Sequence, residues 1–407
     1  MPTKSLTEKE MRATVAAVNK AIGKGHTTAA RASAAAATAL DMQPHQVRHR
    51  LARAKAIHGI APEYPDEVTV SDIPPAEIHD AKFHKRRAAT AQRDIERLEH
   101  LVRELSGFNV QPGRPRWKPS ASGGKGKSVI CGLLSDLHDG EVITAGAVHG
   151  INEYNPEVCE QRVRRYMTAF CEIGARWASD TDNQGAMLTF NGDLISGDIH
   201  EELMRTNALT SLEQVMHCAS VVSATVGMAL EAYPTVHVVG TPGNHGRTTH
   251  KSTAKLYAEL SYDSLIMHQV AKEWAGEKRV TFQSGQKDAV TPVLNDLVVS
   301  THGDKIGTGG GQGFAGPMLP VLRGAKKLIE QMNSVGTPPT IIQLSHYHKV
   351  GNPYVGSVPI FANGSVVGYS EYAGDIRASV EPAQQWMYLV HSRWGVRETL
   401  SVKLEDR

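Results

Sequence analysis

Val129-Ile130-Cys131-Gly132-Leu133-Leu134 runs directly into Ser135-Asp136-Leu137-His138-Asp139-Gly140. The first six residues are a short apolar run ended by a polar turn, the pattern of a strand buried on both faces. The next six set a carboxylate and an imidazole two positions apart, on one side of an extended segment. In α/β sheets, chemistry collects just past strand ends of this kind.

Working outward, the same grammar repeats. The spacing predicts a helix from Glu157 to Ala178, a strand from Ala186 to Phe190, a helix from Leu212 to Tyr233 and a strand from Val236 to Gly240. Further strands are expected at Val298 to Thr301 and Ile341 to Leu344. Such alternation argues for an α/β or layered α/β/α domain over residues 127–407.

Polar clusters follow these runs in order. They are Asn191-Gly192-Asp193, then Gly243-Asn244-His245-Gly246-Arg247, then Thr301-His302-Gly303-Asp304, and last Ser345-His346-Tyr347-His348. A lone D-x-H or H-x-H is more often core or surface than ligand. Five such elements, each at a strand end, form a set. The donors are oxygen and nitrogen without thiolates, which suits manganese, iron or zinc in a reactive site better than a structural zinc site. Two metals about 3.5–4 Å apart need a bridging carboxylate, and Asp193 is the natural candidate.

The ordered set resembles the calcineurin-like metallophosphoesterase family, whose signature is D-x-H, G-D, G-N-H, H and H-x-H. The resemblance spans about residues 128–365. It implies a four-layer α-β-β-α sandwich with a dinuclear metal centre. It also implies that Asp136, His138 and His348 hold one metal, that Asn244, His302 and His346 hold the other, and that Asp193 bridges. His245 would donate the proton to the leaving oxygen. The family often has an acid after G-N-H; here Gly246-Arg247 follows. Asp139 or Asp304 are then the candidate orienters of His245, and Arg247 a candidate contact to substrate phosphate.

Composition bounds the rest. The chain has 407 residues, 41% hydrophobic and 21% charged, so it is neither disordered throughout nor a membrane bundle. No secretory signal is visible, and four cysteines without a C-x-x-C pair read as reduced thiols, so a cytoplasmic location is expected, or the host cytoplasm for a phage protein. The net charge of +2 hides an asymmetry: residues 1–60 hold ten Lys/Arg against three Asp/Glu, residues 127–407 hold 23 against 29. A polyanion is a plausible partner for the head.

That head reads as helices. Ser5 and Glu8 have capping-box spacing ahead of Met11, Val15, Val18 and Ile22. An alanine-rich helix should end near Leu40, and a third should run from Pro44 to about His58, with Arg48, Arg50, Arg53 and Lys55 outside. Residues 1–60 are thus expected to be a small all-α, helix-turn-helix-like DNA-binding domain; a helical bundle that contacts protein is the plainer alternative. Residues 61–126 read as a Pro-rich linker, a charged helix and a Gly/Pro/Lys linker.

The resulting expectation is a dinuclear, manganese-favouring nuclease (iron, zinc or magnesium being alternatives) that acts on DNA and works as a homodimer. Its motifs also resemble the double-strand-break repair nuclease branch and phage-encoded exonucleases. His200, after the bridging aspartate, is a candidate substrate contact, though an ordinary helical turn explains it equally. The alternative is a phosphatase or phosphodiesterase for nucleotides or other small phosphoesters, with the head used for targeting or assembly.

Overall fold

The computed structural model describes residues 7–24, 29–43, positions 46–47, 50–51, 54 and 60, and residues 113–117, 125–306 and 318–406. The chain divides into two compact units, Met1–Glu96 and Arg97–Arg407.

In the first unit, α1 (Glu8–Ile22) starts at a capping box between Thr7 and Glu10, not at Ser5 as the spacing predicted. Thr7 is the residue in extended conformation, so its hydroxyl can reach the Glu10 amide. Val18 and Ala21 of α1 pack with Ala32, Ala36 and Ala37 of α2 (Ala29–Ala39) and with Val47. Alanine on the contact face lets the two helices approach closely. Arg50 is helical and half-buried. Arg48, Arg53 and Lys55 lie outside the described residues, as do the expected linkers apart from 113–117 and 125–126.

The second unit is built on two sheets. In one, the order is β11 (Gly395–Lys403), β10 (Gln384–His391), β1 (Lys127–Leu134), β2 (Asp182–Asn191), β3 (Val236–Thr241) and β4 (Val280–Gln283). Strands β1 to β4 are parallel; β10 runs antiparallel to β1. In the other, the order is β5 (Asp288–Val293), β6 (Asp296–Thr301), β7 (Ile341–Leu344), β9 (Val358–Ala362) and β8 (Tyr354–Val355).

Side-chain parity stacks the layers, because successive residues of a strand point to opposite faces. Ile130, Ala186, Leu188 and Val238 face a core shared with α3 (Pro156–Trp177), α5 (Ser211–Ala232) and α6 (Tyr262–Glu273). Val129, Cys131, Met187 and Val239 face the other way and meet Val298, Ile341 and Phe361 of the second sheet. Val299, Ile342 and Ile360 then point onward to Val321, Ala325 and Leu328 of α7 (Met318–Ser334). The result is an α-β-β-α sandwich, the fold the motifs imply.

Local chemistry sets the helix starts. Asn155 caps α3 with Pro156 in the first turn, and Thr210 with Glu213 forms a capping box on α5. Helix α5 is long and apolar enough to cross a membrane by length and composition. Its apolar residues Val215, Val222 and Val226 are buried in the helix-side core.

Candidate active site

The loops after β1, β2, β3, β6 and β7 converge at one end of the sheets. Backbone bonds pin the first two together: the amides of Asp136, His138 and Asp139 donate to the carbonyls of Gly192, Asp193 and Leu194. The backbone is bent to suit. Asp136, His138, Asp193, His346 and His348 all have positive φ, between 48° and 72°. Non-glycine residues rarely occupy this left-handed region, and such strain gathers at functional sites.

Three donor clusters result: Asp136 with His138 and His348, His138 with Asp193 and His245, and Asp193 with His302 and His346. Within each, the donor atoms lie within 4.8 Å of one another. His348 Nε2 is 3.2 Å from Asp136 Oδ1 and 3.3 Å from His138 Nε2. His302 Nε2 is 3.1 Å from Asp193 Oδ2 and 3.2 Å from Asn244 Oδ1. All seven expected ligands therefore meet, with Asp193 between the two groups.

Glycines make room for this. At Gly192, φ is +81°, and a Cβ would lie 2.6 Å from His302 Nδ1. At Gly243, a Cβ would lie 2.2 Å from the Asp193 carboxylate oxygen.

The donor set fits a pair of divalent cations. Asp136 Oδ1 is buried and receives no properly directed hydrogen bond. Two buried carboxylates demand positive charge, and protons take the place of it. Burial opposes charge on His302, but Asp193 outweighs it and pushes the ring up to about 10. His348 is likewise raised against burial by Asp136. His346 is pushed down to about 4 by burial and by His302, and His138 falls well below its ordinary value through burial and His245. Burial opposes ionisation of Asp193, yet His302 holds its carboxyl well below the usual range.

The tautomers of two histidines follow from their partners. His302 Nδ1 is 2.8 Å from the Asn191 carbonyl, and His245 Nδ1 is 2.8 Å from the Ser196 carbonyl. A carbonyl only accepts, so each Nδ1 carries the proton and each Nε2 is left to the site. His245 is thus oriented by a backbone oxygen. Neither predicted carboxylate does so: Asp139 bonds His217 at 2.7 Å, and Asp304 bonds Tyr257 and Lys305.

Arg247, the candidate phosphate contact, bonds its own turn. Its guanidinium donates to the carbonyls of Thr249 and His250, close enough to the wall residue His200 for its charge to lower that ring's pKa. His200 does line the cavity, its ring 5.7 Å from that of His245.

Two carboxylates were not singled out from sequence. Asp263, fully buried in the first turn of α6, accepts from the amides of Leu194 (3.0 Å) and Gly243 (2.7 Å). Glu141 lies 3.7 Å from His138 Nδ1, and burial pushes it up to about 7.

Five of the seven donors line a cavity of about 500 Å³. His138, Asp193, Asn244, His346 and His348 are on its wall, with Glu141, Glu202 and Glu381.

No family model matches the chain, and no curated protein matches it. Solved structures do. An archaeal phosphodiesterase is 10% identical over 67% of this chain and 99% of its own, with a TM-score of 0.31. Yfce, a phosphoesterase from E. coli, is 13% identical over 67% and 98%, with a TM-score of 0.28. Zinc-complexed Vps29 from Entamoeba histolytica is 12% identical over 68% and 99%, with a TM-score of 0.24.

Proposed function

We propose that the chain is a calcineurin-like, metal-dependent phosphoesterase, a hydrolase that cleaves phosphodiesters of DNA. One observation carries the enzymatic reading: seven oxygen and nitrogen donors from five strand-end loops meet at one point, five of them on left-handed backbone. The excess of Lys and Arg in residues 1–60 supports DNA as the partner of the head.

Asp136, His138 and His348 would hold one cation; Asn244, His302 and His346 would hold the other, with Asp193 shared. Manganese is the metal we propose first. When bound, the pair supplies a water acidified to hydroxide near neutral pH and positive charge beside the phosphoryl oxygens. The chain's own groups do the rest. Asp263 fixes the spacing of the Asp193 and Asn244 loops through their backbone amides. His245, held at Nδ1 by Ser196, would act as the imidazolium: with a proton on each nitrogen it gives the Nε2 proton to the departing oxygen and is left as the Nδ1–H tautomer. His200 borders the same space and would contact substrate.

A second reading is a phosphoesterase for nucleotides or other small phosphoesters. The cavity favours it, since Glu141, Glu202 and Glu381 on the wall suit a long polyanion poorly.

The test is hydrolysis by the purified full chain with manganese. The panel holds end-labelled single- and double-stranded DNA, a cyclic dinucleotide and a generic phosphodiester, with Asp193→Ala as control. DNA cut by wild type and left intact by the variant is the expected result. Turnover of the small esters with DNA untouched selects the second reading. No hydrolysis of any of them overturns both.

A further inference from the structure

The cavity that the donors line carries a chemically different stretch of wall. That stretch is Tyr369, Tyr372, Ala373 and Ile376, on and beside the short helix α8 (Glu371–Asp375), together with Leu203 of α4 (Leu203–Thr206). Tyr369 is half-buried against the helix-side core and accepts, at its carbonyl, a hydrogen bond from Asn152. Its place is explained by packing. Tyr372 is not in that core: its side chain is 68% exposed while its residue lines the cavity. An aromatic ring open to a cavity that also holds the donor cluster offers a face on which a planar group can stack.

Charge narrows the occupant. Among the described residues, Lys349 is the only lysine or arginine on the wall, and Glu381 holds its ammonium at 2.8 Å. Glu202 and Glu371 add negative charge nearby. Among the described wall residues, a second phosphate would meet Glu202 and the Lys349–Glu381 pair. The group attached to the phosphate is therefore uncharged. The volume of about 500 Å³ is within the range that holds one small ligand of nucleotide size, and far from what a duplex needs.

We infer that the Tyr372 wall of the cavity is a nucleobase subsite, so that the site takes a phosphoester one nucleoside at a time, the base stacked on Tyr372 and the phosphate at the donor cluster. This rests on the phosphoesterase reading and deepens it. Base stacking on an aromatic side chain is tolerant of base identity, because every base has a π-face. Duplex DNA would have to present a frayed end or a single strand to enter.

Equilibrium binding separates this proposal from the activity. The probes are deoxythymidine 5′-monophosphate and deoxyribose 5-phosphate, titrated calorimetrically into the manganese-loaded full chain, its Tyr372→Ala variant and its Tyr372→Phe variant. Wild type should prefer the base-bearing probe by about tenfold or more. The preference should fall towards one in Tyr372→Ala and return in Tyr372→Phe, which keeps the ring and drops the hydroxyl. Equal binding of both probes by wild type, or an unchanged preference in Tyr372→Ala, overturns the subsite. Failure of the underlying activity shows separately: hydrolysis of no phosphoester would sink the enzyme reading, while the binding ratio would remain readable.

Discussion

Asp263 Oδ2 accepts a 2.7 Å hydrogen bond from the amide of Gly243, one residue before the proposed ligand Asn244. The other oxygen accepts from the Leu194 amide, one residue after Asp193. One buried carboxylate thus joins the loops that carry the shared ligand and the second group. Only an acceptor-only side chain satisfies both amides. Asp263→Asn would set an amide NH₂ against an N–H donor. We expect a loss of about 1–3 kcal/mol of stability, together with manganese affinity weakened by about 10–100-fold. Thermal unfolding of the metal-free chain and metal titration of the loaded one check the two effects separately. Unchanged metal affinity would show that Asp263 supports the fold alone.

Metal binding should stabilise the chain, because the donors meet only when it is folded. At a free metal concentration 100 times the dissociation constant the gain is about 2.7 kcal/mol. For the second unit, Arg97–Arg407, that raises the melting temperature by about 4–5 °C. Chelator should reverse the shift. Asp193→Ala removes the shared ligand and should abolish most of it, while melting near the metal-free wild type. A variant that still shows the full shift would mean the cation sits elsewhere.

Much of the second unit was readable because its physics is local. Strands β1 to β3, β6 and β7 are apolar runs ended by polar turns, and the seven donors belong to residue types and spacings that reactive metal chemistry requires. What escaped reading acts through the backbone or across long stretches of chain. Asp263 has no patterned neighbour; its partners are two amides on other loops. The orienter of His245 was sought among carboxylates, whereas it is the Ser196 carbonyl, a group that every residue owns. The charge of Arg247 is legible in the sequence; the bonds of its guanidinium to the carbonyls of its own turn are not. Ser5-Glu8 and Thr7-Glu10 have the same spacing, so the sequence alone does not choose between them; the box forms at Thr7 and Glu10.

His245 should matter in proportion to the difficulty of the leaving group. Nδ1–H is committed to Ser196, so the imidazolium form gives up its Nε2 proton. General acid catalysis typically contributes about 10²–10⁴-fold. For His245→Gln we expect a loss of that order with an alkoxide leaving group, such as the sugar hydroxyl of DNA. With p-nitrophenolate, which departs without protonation, the loss should be much smaller. Bound manganese should be unchanged, measured by metal analysis. Equal losses on both substrates would exclude the acid role and point to positioning instead.

His237 gives a pH dependence that owes nothing to the metal site. The ring is buried on β3, edge-on to Trp117 at 5.7 Å. Its Nδ1 is 2.8 Å from Thr281 Oγ and its Nε2 is 3.5 Å from Gln283 Oε1. A neutral ring satisfies both, accepting from the hydroxyl and donating to the amide oxygen. Burial pushes the imidazole down from 6.5 to about 4, although Gln283 favours the charged form. The unfolded chain therefore takes up a proton near pH 6.5, and the folded chain does not until about pH 4. The unfolded state binds more protons across that window, so stability falls as pH falls through it, by about 3 kcal/mol from this residue. His237→Gln cannot titrate. Chemical denaturation of wild type and variant at pH 7 and pH 4 should show the wild type losing about 3 kcal/mol more than the variant. Parallel losses would mean that the folded state accommodates a charged ring at His237.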